Sequence, residues 1–333
     1  MAGAITDISG IKVGHASDFE GITGCTVVLC EHGAVAGVDQ RGGGPGTREI
    51  ALLNPVNNVQ QVHAIVLAGG SAFGLDAAGG VMKYLEENNI GYQTGVAKVP
   101  IVPSAILFDL AVGDPKARPT AEMGYTACQN ASDAPPAQGS VGAGTGATVG
   151  KLLGPKQGIK SGIGSASIEI GGGVTVGALV AVNAIGDIVD PGTGKIIAGA
   201  RPIQKGPIKI GGDGFFADSL ALMSSTVGRS LFSLSDRANT VIGVVATNAN
   251  FDKAKMTKIA QMAQNGVVRC VRPANTMHDG DTMFALSLGK KKANINIVGA
   301  YAAQAVQMAI LNAITHATSL GGIPAISDFQ DES

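Results

Sequence analysis

The chain changes character at residue 240. Residues 190–238 are its least regular stretch. They are broken by Asp190-Pro-Gly-Thr-Gly194, Gly206-Pro207 and Gly211-Gly-Asp-Gly214, and a Ser-rich run from Ser224 to Ser235 leads up to Asn239. Val241 to Ala246 is then dense in Val and Ile. β-Branched side chains crowd the turns of a helix but pack well on a pleated surface, so this run reads as a buried strand ending at about Thr247. A strand of that kind belongs in a core and must be covered by other elements.

Thr240 stands at the mouth of this strand, directly after Asn239 and the long polar connection. Such a connection is a reasonable place for a chain break. Were the Asn239–Thr240 bond cut, Thr240 would become an N-terminal nucleophile. Thr is also an ordinary strand residue, and most Thr before Val-rich runs do no chemistry.

Elsewhere the pattern is mixed. Short β-rich runs (Cys25 to Leu29, Ala64 to Leu67) alternate with Gly-rich turns, and Gly69-Gly70 opens a helix to about Asn88. Residues 113–165 carry five prolines and read as a surface excursion that returns through Gly142-Ala-Gly-Thr-Gly146. Ile163 to Val182 reads as a hairpin turning at Gly171-Gly-Gly173. After the strand at 240, Asp252 can cap a helix over Lys253 to Asn265 with Gly266 near its end. Met283 to Leu288 reads as a strand and Ala293 to Val298 as another. A long apolar helix follows from about Gly299 to Thr318, and then an acidic, frayed tail from Asp328 to Ser333. Strict βαβ alternation is missing, which favours an α+β layered fold over a doubly wound sheet.

Small residues must do the packing, because the chain has 49 glycines, no Trp and only 4% aromatic residues. Charged residues make up 15%, against about 25% in typical domains. That scarcity fits a chain that covers part of its surface in an oligomer. The net charge of −1, with no basic stripe, argues against nucleic-acid binding. The most apolar stretch, Val174 to Val182, is too short to span a bilayer, and the N-terminus shows no basic region followed by an apolar one. No membrane partner is expected. Cys25, Cys30, Cys128 and Cys270 have no CxxC pairing and no ligand spacing with His. They read as buried thiols of a cytoplasmic protein, with no metal site.

Two Gly-rich segments invite a nucleotide reading. Gly142 to Lys151 ends in Gly-Lys, but a phosphate-cradling loop needs Gly where Thr145 stands and a hydroxyl where Leu152 stands. No strand–turn–helix with a following acidic residue surrounds Gly142-x-Gly144. Arg41-Gly-Gly-Gly-Pro-Gly-Thr-Arg48 reads as a chain turn.

Few polar residues end the apolar strands. Asn183 closes Val174 to Val182, Lys151 closes the Gly-rich turn, and Asp279-Gly-Asp281 precedes the strand at Met283. Taken singly, they read as an Asx turn, a solvated lysine and a tight turn. Together with Thr240 they resemble the L-aminopeptidase/D-esterase family of autoprocessing hydrolases, which includes β-peptidyl aminopeptidases and nylon-oligomer (6-aminohexanoate) hydrolase. The resemblance runs through Ile5-Thr-Asp-Ile-Ser-Gly-Ile-Lys-Val-Gly-His15, Gly24-Cys-Thr-Val-Val28 and Gly69-Gly-Ser-Ala-Phe-Gly-Leu-Asp76. It continues through Gly142 to Gly146, Lys160 to Ser167, Asn239 to Asn248 and Asp279 to Ala285.

This resemblance implies an αββα four-layer sandwich of the N-terminal-nucleophile-hydrolase type. It implies one domain, residues 1–333, self-cleaved at Asn239–Thr240 into an α part, 1–239, and a β part, 240–333. It also implies Thr240 as nucleophile with Asn183, Lys151, Asp279 and Asp281 as catalytic partners, and a homotetramer of αβ units. The nylon-hydrolase branch carries Tyr where Phe73 stands, so this substrate-binding position lacks a hydroxyl here. The implied activity is hydrolysis of small peptides, β-peptides or ω-amino-acid oligomers through an acyl-enzyme, without a cofactor. Two alternatives are acyl transfer by the same Thr, as in ornithine acetyltransferase, and a non-enzymatic Gly-rich binding protein. Acetyl transfer to ornithine would mark the first, and an intact, inactive chain the second.

Overall fold

Two sheets share one long strand. The computed structural model describes residues 3–205, 208–226, 228–229 and 239–332, so most of the Ser-rich approach to Asn239, at 230–238, lies outside the described residues. In the first sheet β1 (Lys12–Asp18) pairs with the first half of β2 (Thr23–Gln40). Then come β3 (Val62–Ala68), β4 (Ser104–Ile106) and an edge at Thr47–Arg48. In the second sheet β5 (Ile163–Glu169), β6 (Thr175–Asn183), β7 (Thr240–Ala249) and β8 (Thr282–Lys291) follow in that order, and β8 pairs with the second half of β2. β2 changes partner between Ala34, which faces Val62 of β3, and Val35, which faces Ser287 of β8. β7 and β8 run parallel, whereas β6 is antiparallel to β7.

The period-two alternation of each strand sorts its side chains into different cores. Ile242, Val244, Phe284 and Leu286 share a core with Val28, Ile65 and Leu67 of the other sheet. Their neighbours Val241, Val245, Met283 and Ala285 share a second core with two helices, α3 (Lys253–Cys270) and α4 (Ile295–Thr315). On the far side, Val27, Leu29, Ala64 and Val66 pack with residues of α1 (Ala77–Glu87) and α2 (Ala121–Gln129). The layers are therefore helix, sheet, sheet, helix. Burying a Val or Ile side chain contributes on the order of 1.5–3 kcal/mol. The Val/Ile run of β7 has this environment on both faces, which is why it tolerates no polar alternation.

Glycine permits the close packing that the lack of aromatics demands. α1 and α2 cross backbone to backbone: a Cβ on Gly80 would lie 1.6 Å from the carbonyl oxygen of Ala121, and one on Gly124 would lie 1.9 Å from that of Ala77.

Several expectations are corrected. Ala293 to Val298 is not a strand. Asn294 caps α4 by accepting from the Asn296 N–H, and the β-branched residues that follow are helical because Val298 joins the helix–sheet core. α3 continues past Gly266, which lies against α4 instead of ending its own helix. The 113–165 excursion contains α2, capped by Thr120, and its Gly-rich return is buried, with Ala143 and Ala147 in the core between the sheets. The acidic tail forms a 3-10 helix, Ile326–Glu332, and Ile326 and Phe329 pack on the helix–sheet core. α4 is long and apolar enough to cross a membrane by length and composition, with 56% of its apolar window buried within the protein. The four cysteines are buried and free of disulfides.

Candidate active site

Topology brings the polar strand ends to one edge of the second sheet. β7 and β8 are parallel, so both begin there; β6 is antiparallel, so it ends there. Thr240, the first residue of β7, pairs with Asn183, the last of β6. Asp279 and Asp281 immediately precede β8. Thr240, Asn183, Asp279 and Asp281 are all buried.

The two carboxylates hold the chain around Thr240. Asp281 Oδ1 accepts the Val241 N–H at 2.7 Å and Oδ2 accepts the Asn275 N–H at 2.9 Å. Asp279 Oδ2 accepts the Thr276 N–H at 2.6 Å. Burial, followed by repulsion from Asp279, raises Asp281 to about 7, against the stabilising Val241 and Asn275 N–H groups. Burial also raises Asp279, opposed by its bonds to Thr276 and by attraction to Lys151. The Arg41–Arg48 segment does more than turn the chain: the Gly44 N–H donates to the Asp279 carbonyl at 2.9 Å and the Arg41 N–H to that of Asp281 at 3.0 Å. A Cβ on Gly42 would lie 2.0 Å from the Asp279 carbonyl oxygen, so only glycine lets this loop brace the carboxylates.

Lys151 and Asn183 form a second unit. Lys151 Nζ donates to Asn183 Oδ1 at 2.8 Å and to its carbonyl at 3.0 Å. Asn183 Oδ1 also accepts the Thr148 N–H at 3.1 Å, and Nδ2 donates to the Phe108 carbonyl at 2.7 Å. Lys151 is thus no solvated surface charge, and the side-chain oxygen of Asn183 makes no local Asx turn. With a cation fixed on its oxygen, the carboxamide has one orientation, and Phe108 takes one of its two N–H bonds.

The peptide before Thr240 is also held. Asn239 forms a one-residue parallel bridge with Asp279. Its N–H donates to the His278 carbonyl at 2.9 Å, and its carbonyl accepts the Gly280 N–H at 2.8 Å. Asn239 lines a narrow cavity with Phe108, Ala111, Val112, Thr148, Lys151 and Pro155. A larger apolar cavity of about 660 Å³, between α4 and Phe215, Phe216 and Phe329, shares no residue with this cluster. The polar cluster borders the smaller one through Lys151 and Asn239.

Phe73 stands outside the hydrogen-bonded cluster. Its half-exposed ring lies under the Arg118 guanidinium, 3.5 Å from ring centroid to Cζ. Its 3-10 helix is tied at Ser71 to the carbonyl of Leu107, next to Phe108. Sequence reasoning missed the Gly42–Gly44 brace and the fully buried Lys160. Lys160 Nζ donates to the carbonyls of Gly144, Ala147 and Ser161 at 3.1, 2.8 and 2.8 Å. A lysine next to a Gly-rich turn was the available signal, and it pointed equally to Lys151.

The family model for peptidase family S58 matches residues 3–325. The chain belongs to peptidase family S58. It is therefore a hydrolase of amide bonds, and the resemblance read from its motifs is borne out. This peptidase is 44% identical to an uncharacterized aminopeptidase of Mycobacterium leprae, over 96% of this chain and 92% of the relative. It is 30% identical to a 6-aminohexanoate-oligomer endohydrolase of Kocuria, over 92% of this chain and 84% of that protein. Among solved structures it is similar to the L-aminopeptidase D-Ala-esterase/amidase of Ochrobactrum anthropi, described as a variant of the Ntn-hydrolase fold. The TM-score is 0.71 and the identity 21%, over 97% of this chain and 90% of that one. At that identity the likeness concerns the fold, and it agrees with the four layers described above.

Proposed function

We propose that this peptidase is an autoprocessed amide hydrolase whose nucleophile, Thr240, is released by self-cleavage of Asn239–Thr240. The observation that carries this reading is the convergence at one sheet edge. A buried threonine begins a core strand, the carbonyl before it is already hydrogen-bonded, and two carboxylates and a lysine-anchored asparagine surround it.

A Thr hydroxyl is a poor nucleophile until a base takes its proton. In the uncut chain the hydroxyl and the Asn239 carbonyl belong to adjacent residues, which supplies the proximity of an intramolecular reaction. Cleavage leaves Thr240 with an α-amine, whose unperturbed pKa of roughly 7.7–8.0 suits a general base near neutral pH. Asp281 keeps the start of β7 in place through the Val241 N–H, and Asp279 supplies negative charge beside the amine. Asn183 has a second amide N–H with which to stabilise an oxyanion on an external substrate, a donor of a kind whose loss typically costs about 3 kcal/mol. Lys151 holds that carboxamide in the donating orientation. The scheme uses no cofactor. Its substrates are small amides: peptides, β-peptides or ω-amino-acid oligomers, met by a homotetramer of αβ units.

A denaturing gel with N-terminal sequencing tests this. The expected result is two bands, one of which begins at Thr240. A single band that persists on storage would rule the mechanism out.

A further inference from the structure

Self-cleavage leaves behind the contacts that held Asn239. In the uncut chain this residue lies along the His278–Gly280 edge as a one-residue strand, fixed at two points by its own N–H and its own carbonyl. This is the pairing of a parallel ladder, in which one residue bonds to the residues on either side of its partner. We infer that the His278 carbonyl and the Gly280 N–H form the acyl-side subsite of the mature enzyme, receiving from an α-aminoacyl substrate the two groups that Asn239 presents in the precursor. The inference rests on the autoprocessing reading and goes beyond it by assigning the subsite and the position of the substrate's amine.

The argument is chemical as well as geometric. In self-cleavage a bond forms between Thr240 Oγ1 and the Asn239 carbonyl carbon, and the bond from that carbon to the Thr240 nitrogen breaks. The hydroxyl proton passes to the departing nitrogen, which becomes the free amine. The product is an ester between the acyl group of residue 239 and the Thr240 hydroxyl. Water then adds to the ester carbon, the carbon–Oγ1 bond breaks, a proton returns to Oγ1 and Asn239 becomes a carboxylic acid. That ester is the same species as the acyl-enzyme formed from an external amide, with residue 239 as the acyl group. Groups that hold this acyl group in the first reaction are already positioned for the second.

The ladder discriminates among substrates. An α-aminoacyl group carries nitrogen and carbonyl on one carbon and meets both contacts. A 3-aminopropanoyl group places its amine one methylene farther out, a 6-aminohexanoyl group places it well beyond His278, and a propanoyl group has no amine. The substrate side chain takes the place of the Asn239 side chain, beside the cavity that Asn239 lines with Phe108 and Val112.

The test compares alanyl, 3-aminopropanoyl, 6-aminohexanoyl and propanoyl p-nitroanilides on the mature enzyme. The alanyl compound should lead in kcat/KM by roughly tenfold to a hundredfold, the worth of a hydrogen bond from a charged amine. Equal rates for alanyl and propanoyl would overturn the subsite. A second measurement uses Gly280→glycolic acid, which replaces the N–H by an ester oxygen. Self-cleavage and turnover per Thr240 terminus should both slow by about 100- to 1,000-fold. Slowed self-cleavage with unchanged turnover would also overturn the subsite, while leaving the autoprocessing reading intact. A wild-type chain that never cuts would instead remove the reading beneath it.

Discussion

Lys151 and Lys160 lie on the same Gly-rich segment and end in opposite situations. Lys160 is fully buried, and three backbone carbonyls hold its ammonium, one for each proton it donates. Burial lowers it to about 7, with attraction to Asp109 opposing the shift. Asp109 is itself raised by burial and is held by the Gly70 N–H and the Thr23 hydroxyl. This second cluster ties the Gly144–Ala147 turn to the sheets and lines no part of the cavity beside Asn239. Lys151 is only partly buried, reaches a side chain and lines that cavity. Saturation marks the brace, and a bond to a group that still has a donor to give marks the proposed site. Buried charge alone separates neither.

The largest effect belongs to the proposed nucleophile. Thr240→Ala should leave one uncut chain and no turnover above background, read by mass spectrometry and anilide hydrolysis. Normal processing in this variant would move the nucleophile elsewhere. Next come the two lysines. Lys151→Met frees the Asn183 carboxamide and should lower kcat by about 100-fold with little change in melting temperature. Lys160→Met leaves three carbonyls and Asp109 uncompensated. It should cost roughly 3–5 kcal/mol and about 5–10 °C in melting temperature, while the folded fraction keeps most of its turnover. The opposite pattern in calorimetry and kinetics would break the contrast.

A smaller effect follows from Asp281. Its pKa in the fold, about 7, lies above the ordinary carboxylate value, so the carboxylate that accepts two N–H groups predominates only above that pH. Its contribution to stability is fully present below the unfolded value and is lost as pH rises through about 7. Self-cleavage should run the other way, rising about tenfold per pH unit below 7 and levelling above it. The uncut chain has no Thr240 amine, so a gel time course from about pH 5 to about pH 9 takes that amine out of the profile, and the same course on Lys160→Met takes out the other group near 7. A flat profile would separate Asp281 from the cleavage step. The smallest effect is expected at Phe73, whose ring meets Arg118 outside the cluster. Phe73→Ala should change KM by a few-fold at most, the worth of an exposed cation–π contact.

The layers were legible because Val241 to Ala246, Val174 to Val182 and Met283 to Leu288 each carry the apolar density of a strand buried on both faces. Ala293 to Val298 misled for the same reason: its β-branched residues look like strand until α3 supplies a surface on which a helix packs. Asp279, Asp281 and Thr240 stood out as polar residues at strand ends and took their roles from the family resemblance, but no local pattern placed them together. What joins them is register. Asn183 meets Thr240 only because β6 and β7 pair across the irregular 190–238 stretch. The Gly42–Gly44 brace was hidden because its partner lies more than two hundred residues away. Lys160 was hidden because its three acceptors are backbone carbonyls, which leave no mark on composition.

The shared strand β2 has one more consequence. Of the strands in the 240–333 piece, β7 hydrogen-bonds to β6 and β8 to β2, and both of those partners belong to the 1–239 piece. Once cut, neither piece owns a finished sheet, and parting them means tearing the second sheet open on both sides of the inserted pair. In the proposed scheme, maturation turns one continuous chain into a pair of fragments that cannot drift apart in the native state. Its melting temperature should rise with protein concentration more steeply than that of the uncut Thr240→Ala chain, and separately purified fragments should recover activity only when refolded together.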